Sequence, residues 1–380
     1  MNVVGFVQND FMDLVDMSNY DFTKIPFDDI VSFGQRSLLY RDLFTVSWLL
    51  GRYCNYRCSY CWPYARSDTK DHRPTELCLK TIDEIKRQAR ENGFNSFHFS
   101  LSGGEPTFHP GYLDILKYLA DDVANTNYTS IHMTSNCSRP MKWFETYVEY
   151  AKPFHRASIT ASLHTEHVND PEKMQEFADK LIFCQENDVQ VTINMVMVPE
   201  WFDRDWENAL FFHTQGINVT LKPQSDPTAS RVVDGYTDEQ KQRLWNGMPQ
   251  KGYTEVKRKW NSRPNPTFKI PQHTTSTDDK TIPSHMQVEF IDSTGQKWYM
   301  DQAERFNAFG FNKFKGWKCN SGYQGIIIRE PDGSIKRSYS CHDKPLGNIE
   351  TGFTLFESPM LCTTESCVSS ADSKIPKRKW

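Results

Sequence analysis

The sequence predicts an α/β protein in which six β–α units are followed by a smaller unit built on β-hairpins. From Phe44 to Lys222, short β-rich runs alternate with helical stretches, and strands separated by helices need crossover connections, hence a parallel sheet. After Lys222 the composition shifts to Pro, Ser, Thr, Asp and Lys. The C-terminal part then reads as strand pairs flanking turn residues.

The expected strands are Phe44–Leu50, Phe97–Leu101, Ser130–Thr134, Ser158–Leu163, Val189–Val196 and Ile217–Lys222. Helical stretches lie between them near Leu77–Glu91, Pro110–Val123, Pro140–Ala151, Pro171–Asn187 and Asp205–Gln215. Asp170 before Pro171 is an N-cap followed by proline at the first helical position, and Gly93 stands where a helix ends. Thr237-Asp238-Glu239-Gln240 is a capping box that opens a sixth helix. Six such units form an open doubly wound sheet or a partly closed barrel, and both place ligands at the C-terminal ends of the strands. Asn261–His285 reads as a long irregular connection, a lid or a linker. Gln287–Ile291 with Lys297–Met300, and Ile326–Arg329 with Ser334–Ser340 around Pro331-Asp332-Gly333, read as two hairpins. The expected organisation is an N-terminal extension (1–43), the β–α region (44–246), a linker or insertion (247–286) and a C-terminal unit (287–380).

The chain has 380 residues and a net charge of −4, with a pI near 6.3 and a mean hydropathy of −0.65. That balance gives no support to a general polyanion-binding role. No apolar run reaches membrane-span length, and Met1–Asp16 lacks a signal-peptide pattern. The expectation is a cytoplasmic protein with reduced thiols and no membrane partner. The basic run at 374–379 reads as a solvated terminus, so a nucleic-acid partner is not expected.

Cys54, Cys58 and Cys61, in Cys-Asn-Tyr-Arg-Cys-Ser-Tyr-Cys, carry the most specific chemistry. Three thiolates at this spacing can close one face of a cubane iron–sulfur cluster and leave the fourth iron open to a small molecule. They follow the first strand, on the ligand-binding face. The second strand ends on that face in Ser102-Gly103-Gly104-Glu105, where glycines admit a ligand to the backbone and Glu105 offers an anion to an ammonium. Cys319, Cys341, Cys362 and Cys367 surround the second hairpin. Four thiols suit a closed [4Fe–4S] site and equally a structural zinc. Cys78, Cys137 and Cys184 read as small buried core residues, with Cys137 also placed after the third strand on the active face.

With Gly103-Gly104-Glu105 following it, the Cys54-x3-Cys58-x2-Cys61 motif resembles that of the radical S-adenosylmethionine (SAM) enzymes. The resemblance implies a partial (β/α)6 barrel over roughly residues 44–245. It implies that Cys54, Cys58 and Cys61 ligate a [4Fe–4S] cluster whose open iron binds S-adenosyl-L-methionine. Tyr60 then meets adenine, and Gly103, Gly104 and Glu105 hold the methionine amino group. Ser162 and Asn194 correspond in position to ribose or carboxylate contacts, as does Asn136 at the end of the third strand. The C-terminal four-cysteine region resembles the twitch domain, which carries one auxiliary [4Fe–4S] cluster.

Such an enzyme cleaves its cosubstrate reductively and abstracts hydrogen from a substrate C–H bond through a 5′-deoxyadenosyl radical. An auxiliary cluster suggests oxidation, so the expected reaction is dehydrogenation of a small polar metabolite. Lys222, His164 or His109 is then the base, and a flavodoxin or ferredoxin the reducing partner. Modification of a peptide is the alternative, weakened because only 53 residues precede Cys54, fewer than a leader-recognition domain needs. A non-catalytic metal-binding or electron-transfer protein is the remaining reading.

Overall fold

Along the strands of the β–α region, every second residue is large and apolar. Phe44, Val46 and Trp48, then Phe97, Phe99 and Leu101, then Val191, Ile193 and Met195 are all buried, which fixes one face of the sheet against helices. The computed structural model describes residues 25–35, 41–227, 232–248, 287–301, 311–367 and 375–379. Its elements in order are β1 (Ile30–Gln35), β2 (Phe44–Leu49), α1 (Thr75–Glu91), β3 (Ser96–Ser102), α2 (Tyr112–Asp121) and β4 (Tyr128–Ser135). Next come α3 (Met141–Ala151), β5 (Arg156–Leu163), α4 (Pro171–Glu186), β6 (Val189–Met197), α5 (Phe202–Thr214), β7 (Asn218–Pro223) and α6 (Asp238–Asn246). The chain continues with β8 (Gln287–Asp292), β9 (Lys297–Asp301), β10 (Lys318–Cys319), β11 (Gly325–Ile328) and β12 (Ser334–Lys336). Last are β13 (Gly347–Asn348), β14 (Gly352–Phe353), β15 (Met360–Leu361) and β16 (Lys377–Arg378).

Strands β2 to β7 pair in parallel in chain order, so the expected α/β architecture is present. The run remains open: β7 is its free edge, and the sheet continues on the other side through β11, β12, β13 and β14. Strand β11 joins in parallel to β2, Ile326 opposite Val46 and Ile328 opposite Trp48. Asp170 caps α4 by accepting from the Lys173 amide at 2.9 Å, and both arms of the Thr237–Gln240 capping box are made.

The opposite face of the parallel sheet is polar. In register lie Thr160, Thr192 and Asn218, then Ser162, Asn194 and Thr220, with Lys222 opposite Val196. A parallel sheet covered on both faces reads as continuous apolar strands; this one has mostly hydrogen-bonding groups on one face.

A second sheet, in the order β15-β10-β16-β1-β8-β9, is antiparallel throughout. It carries its own core, including Ile30, Phe33, Phe290, Phe314, Trp317, Cys319 and Cys362. The basic terminus is therefore not simply solvated: Lys377 and Arg378 form a central strand, and Lys377 is 1% exposed. The expected connection Asn261–His285 lies outside the described residues. Among the described residues, no helix is long and apolar enough to cross a membrane.

Candidate active site and cysteine centres

The cysteine loop leaves β2 at Leu50 and is laced to the loop after β3. The Leu50 amide donates to the Ser102 carbonyl (2.8 Å), the Gly104 amide to Gly51 (3.0 Å) and the Glu105 amide to Tyr53 (2.7 Å). A Cβ on Gly103 would lie 2.3 Å from the Gly51 carbonyl oxygen, and one on Gly104 2.2 Å from that of Arg52. The glycines are thus required first by the chain itself, because the cysteine loop's own backbone occupies the space a side chain would need. Held this way, Cys54 and Cys61 are half-buried and Cys58 is buried. Burial pushes the Cys54 thiol up to about 11 and Cys58 up to about 12, with further upward pressure on Cys58 from its neighbours Glu166, Cys61 and Cys54. Three thiols that resist joint ionisation because they are crowded and desolvated suit a shared cationic centre.

Glu105 is held firmly within the fold. It is 1% exposed and accepts from the Thr107 hydroxyl (2.7 Å) and amide (3.2 Å), the Ser135 hydroxyl (2.8 Å) and the Asn136 amide (2.6 Å). Burial pushes its carboxyl up, while these four donors favour the ionised form. Such a carboxylate ties the end of β3 to the end of β4. Asn136 is likewise engaged, donating from Nδ2 to Asn55 (2.9 Å) and lying 3.9 Å from Cys54 Sγ.

The loop after β5 closes on the cysteine loop. Glu166 accepts from the Ser59 amide (2.8 Å) and from its hydroxyl, and the Arg57 amide donates to His167 Nε2 (3.3 Å). Tyr56 stacks on His167 with ring centroids 4.0 Å apart. A Glu166 carboxylate oxygen, a His167 nitrogen and Cys58 Sγ all lie within 4.8 Å of one another. Nothing in the motif reading pointed to Glu166 or His167; the polar run His164–His167 just past a strand end was the available signal. Tyr60 Oη lies 2.8 Å from His164 Nδ1 and also meets Cys58. Burial pushes His164 down to about 4, so it is neutral at pH 7.

The three candidate bases separate clearly. His109 is 2% exposed, its Nδ1 accepts from the Gly111 amide (3.1 Å) and its Nε2 lies 3.0 Å from the Arg73 carbonyl oxygen. With both nitrogens engaged it organises the start of α2 and has no lone pair for a substrate. Lys222 stands on the polar face near the end of β7, beside the row of Ser162, Asn194 and Thr220, and His164 borders the cysteine loop.

Cys319, Cys341, Cys362 and Cys367 are all buried. Burial raises Cys341 and Cys362, and each is further raised by Cys319 nearby. Cys78, Cys137 and Cys184 are at most 1% exposed, as expected of core thiols; Cys137 adopts a positive φ of 53°.

Residues 48–213 match the family model of the Radical SAM superfamily. Over this stretch the chain is similar to the Radical SAM superfamily. The stretch spans the cysteine loop, the Gly-Gly-Glu turn and the helices and strands as far as α5. The crowded thiols of Cys54, Cys58 and Cys61 fit the [4Fe–4S] cluster that this resemblance implies. The GTP 3′,8-cyclase of Pectobacterium atrosepticum is 32% identical over 74 residues, which make up 19% of this chain and 21% of that protein. The chain thus matches about a fifth of that relative's length. Among solved structures, anSMEcpe with bound AdoMet and Kp18Cys peptide is similar at a TM-score of 0.48 and 14% identity, over 81% of this chain and 79% of that one. Native anSMEcpe with bound AdoMet gives a TM-score of 0.38 at 17% identity, covering 48% and 52% of the two chains. Streptococcus suis SuiB bound to precursor peptide SuiA gives 0.35 at 16% identity, covering 58% and 43%.

Proposed function

We propose that this protein is a radical SAM oxidoreductase that dehydrogenates a small polar metabolite, assisted by an auxiliary [4Fe–4S] cluster in a C-terminal twitch domain. The observation that carries the reading is the pairing of a polar strand face, Thr160 to Lys222, with a second set of four buried cysteines. Held by Cys54, Cys58 and Cys61, a [4Fe–4S] cluster would supply the low-potential electron for reductive cleavage of S-adenosylmethionine and so for hydrogen abstraction from the substrate.

The remaining steps belong to side chains of this chain. Ser162, Asn194 and Thr220 offer donors and acceptors at one level of the sheet, which suits a hydroxylated or aminated molecule. Completing an alcohol oxidation requires loss of one proton and one further electron. In this reading Lys222 or His164 takes the proton. With Tyr60 donating to Cys58, His164 donates Nδ1–H to Tyr60 and keeps its Nε2 lone pair as the acceptor. Cys319, Cys341, Cys362 and Cys367 are the ligands for the centre that takes the electron.

The test measures 5′-deoxyadenosine formation by the reconstituted protein against a panel of amino-sugar and cyclitol alcohols deuterated at their carbinol carbons, with peptides as a parallel panel. Deuterium in the deoxyadenosine together with a carbonyl product two hydrogens lighter supports the reading. Transfer from peptides alone would replace it with side-chain modification.

A further inference from the structure

The second cysteine set encloses a cation that the site described so far does not use. Arg337 follows β12, and its side chain is 6% exposed. Its Nη1 donates to Asp343 Oδ2 (3.0 Å) and to the carbonyl oxygen of Leu361 (3.3 Å), the residue before Cys362. Among the described residues, its buried Nε and Nη2 have no hydrogen-bond partner. The thiols of Cys341, Cys319 and Cys362 face this guanidinium closely enough that, ionised, each would favour its charge. The Phe356 ring covers its carbon at 5.7 Å. An unsatisfied buried donor on a charged group is costly, because the desolvated charge has no compensating acceptor. Two such donors on one arginine therefore point to an acceptor that belongs in the pocket.

A second buried cation stands on the other side. Lys377 is opposite Cys319 in the sheet, 1% exposed, and donates from Nζ to the Ile375 carbonyl at 2.7 Å. Its ammonium lies 4.9 Å from the Phe314 ring centroid and 5.3 Å from that of Phe33. Among the described residues, the charged groups near these thiols include Arg337 with its partner Asp343, and Lys377.

We infer that Arg337 is the counter-charge of the auxiliary centre: its free Nε–H and Nη2–H donate to the sulfurs of a tetrathiolate cluster and raise that cluster's reduction potential. Hydrogen bonds to sulfur, local charge and burial are the levers by which a protein sets such a potential. The inference rests on the auxiliary-cluster reading given above and extends it. Reduction of the centre takes one electron from the external reductant and makes or breaks no bond in the protein. Its added negative charge is what the guanidinium stabilises. By the same reasoning Asp343, which partly neutralises Arg337, holds the potential below what Arg337 alone would give.

The experiment uses the full chain with Cys54, Cys58 and Cys61 all changed to Ala, so that only the second centre loads. After anaerobic reconstitution with iron and sulfide, it is titrated with dithionite and followed by electron paramagnetic resonance. With Arg337→Gln, iron content is expected to hold while the reduced-to-oxidised ratio at fixed poise falls tenfold or more. For a one-electron couple, tenfold corresponds to about 59 mV. Asp343→Asn is expected to move the ratio the other way, and Arg337→Lys to recover part of the loss. An unchanged ratio in a loaded Arg337→Gln protein overturns the role given to Arg337 and leaves the auxiliary cluster standing. If Arg337→Gln does not load, the sign of the Asp343→Asn shift decides, and no shift or a fall overturns the inference. Absence of any iron–sulfur signal in the folded parent, or zinc in place of iron, overturns the auxiliary-cluster reading and the inference with it.

Discussion

At Gly104 the structure sets a steric requirement. A methyl there would meet the Arg52 and Tyr53 carbonyl oxygens at 2.2 and 2.4 Å, both backbone atoms that cannot swing aside. Gly104→Ala is expected to cost about 3 kcal/mol or more and to prevent cluster loading, read by denaturant unfolding and iron content. Gly93→Ala, at φ 87° with nothing within 4 Å of the new Cβ, should cost only about 1 kcal/mol and leave iron unchanged. His109 gives a pH signature. Burial holds it down at about 4, so between pH 6.5 and 4 the unfolded chain binds a proton that the folded chain refuses. Its contribution is complete above 6.5 and is lost as pH falls toward 4, by up to about 3 kcal/mol at 1.36 kcal/mol per pH unit. His109→Gln should flatten that slope, measured as urea midpoints at pH 7.5 and 5; an identical slope would show that His109 is protonated in the native state. The three cysteines and the Gly-Gly-Glu turn were legible in the sequence because their spacing is local. Arg337 was not, since a lone arginine after a short strand looks like any surface charge until three distant cysteines are folded around it.

Among the elements, those with a strong internal period were legible. Each of β2 to β7 contains its expected core residues, with ends shifted by at most a few positions, because burial of one face dictates alternation. Strands β10, β13, β14, β15 and β16 are two residues each; no periodicity fits in two residues, and only their distant partners define them. The capped helices are the cleanest local prediction. Thr237→Ala removes one arm of the box that opens α6 and is expected to cost about 1 kcal/mol in denaturant unfolding, with iron content untouched. The loop His164–His167 belongs at this scale too. Its grip on Ser59 and Arg57 links β5 to the cysteine loop, so Glu166→Ala should speed loss of iron in air while shifting the unfolding midpoint little. Equal rates of loss would show that the Ser59 contacts do not protect the site.

At the scale of the whole molecule, the sequence divided the chain into consecutive parts, whereas the sheets join parts far apart in sequence. Strand β11 extends the parallel sheet beside β2, and β1 lies between β16 and β8. Such joins follow from which edges and apolar faces meet, information that no window of sequence contains. They join the region of the C-terminal cysteines to the parallel sheet that carries the Cys54–Cys61 loop. The central claim, that the loop of Cys54, Cys58 and Cys61 drives radical chemistry, is tested most directly by anaerobic, dithionite-driven production of 5′-deoxyadenosine from S-adenosylmethionine, beside Cys58→Ala. The account predicts product from the reconstituted protein and none from the variant. Protein with its first cluster verifiably loaded that neither binds nor cleaves S-adenosylmethionine would contradict it.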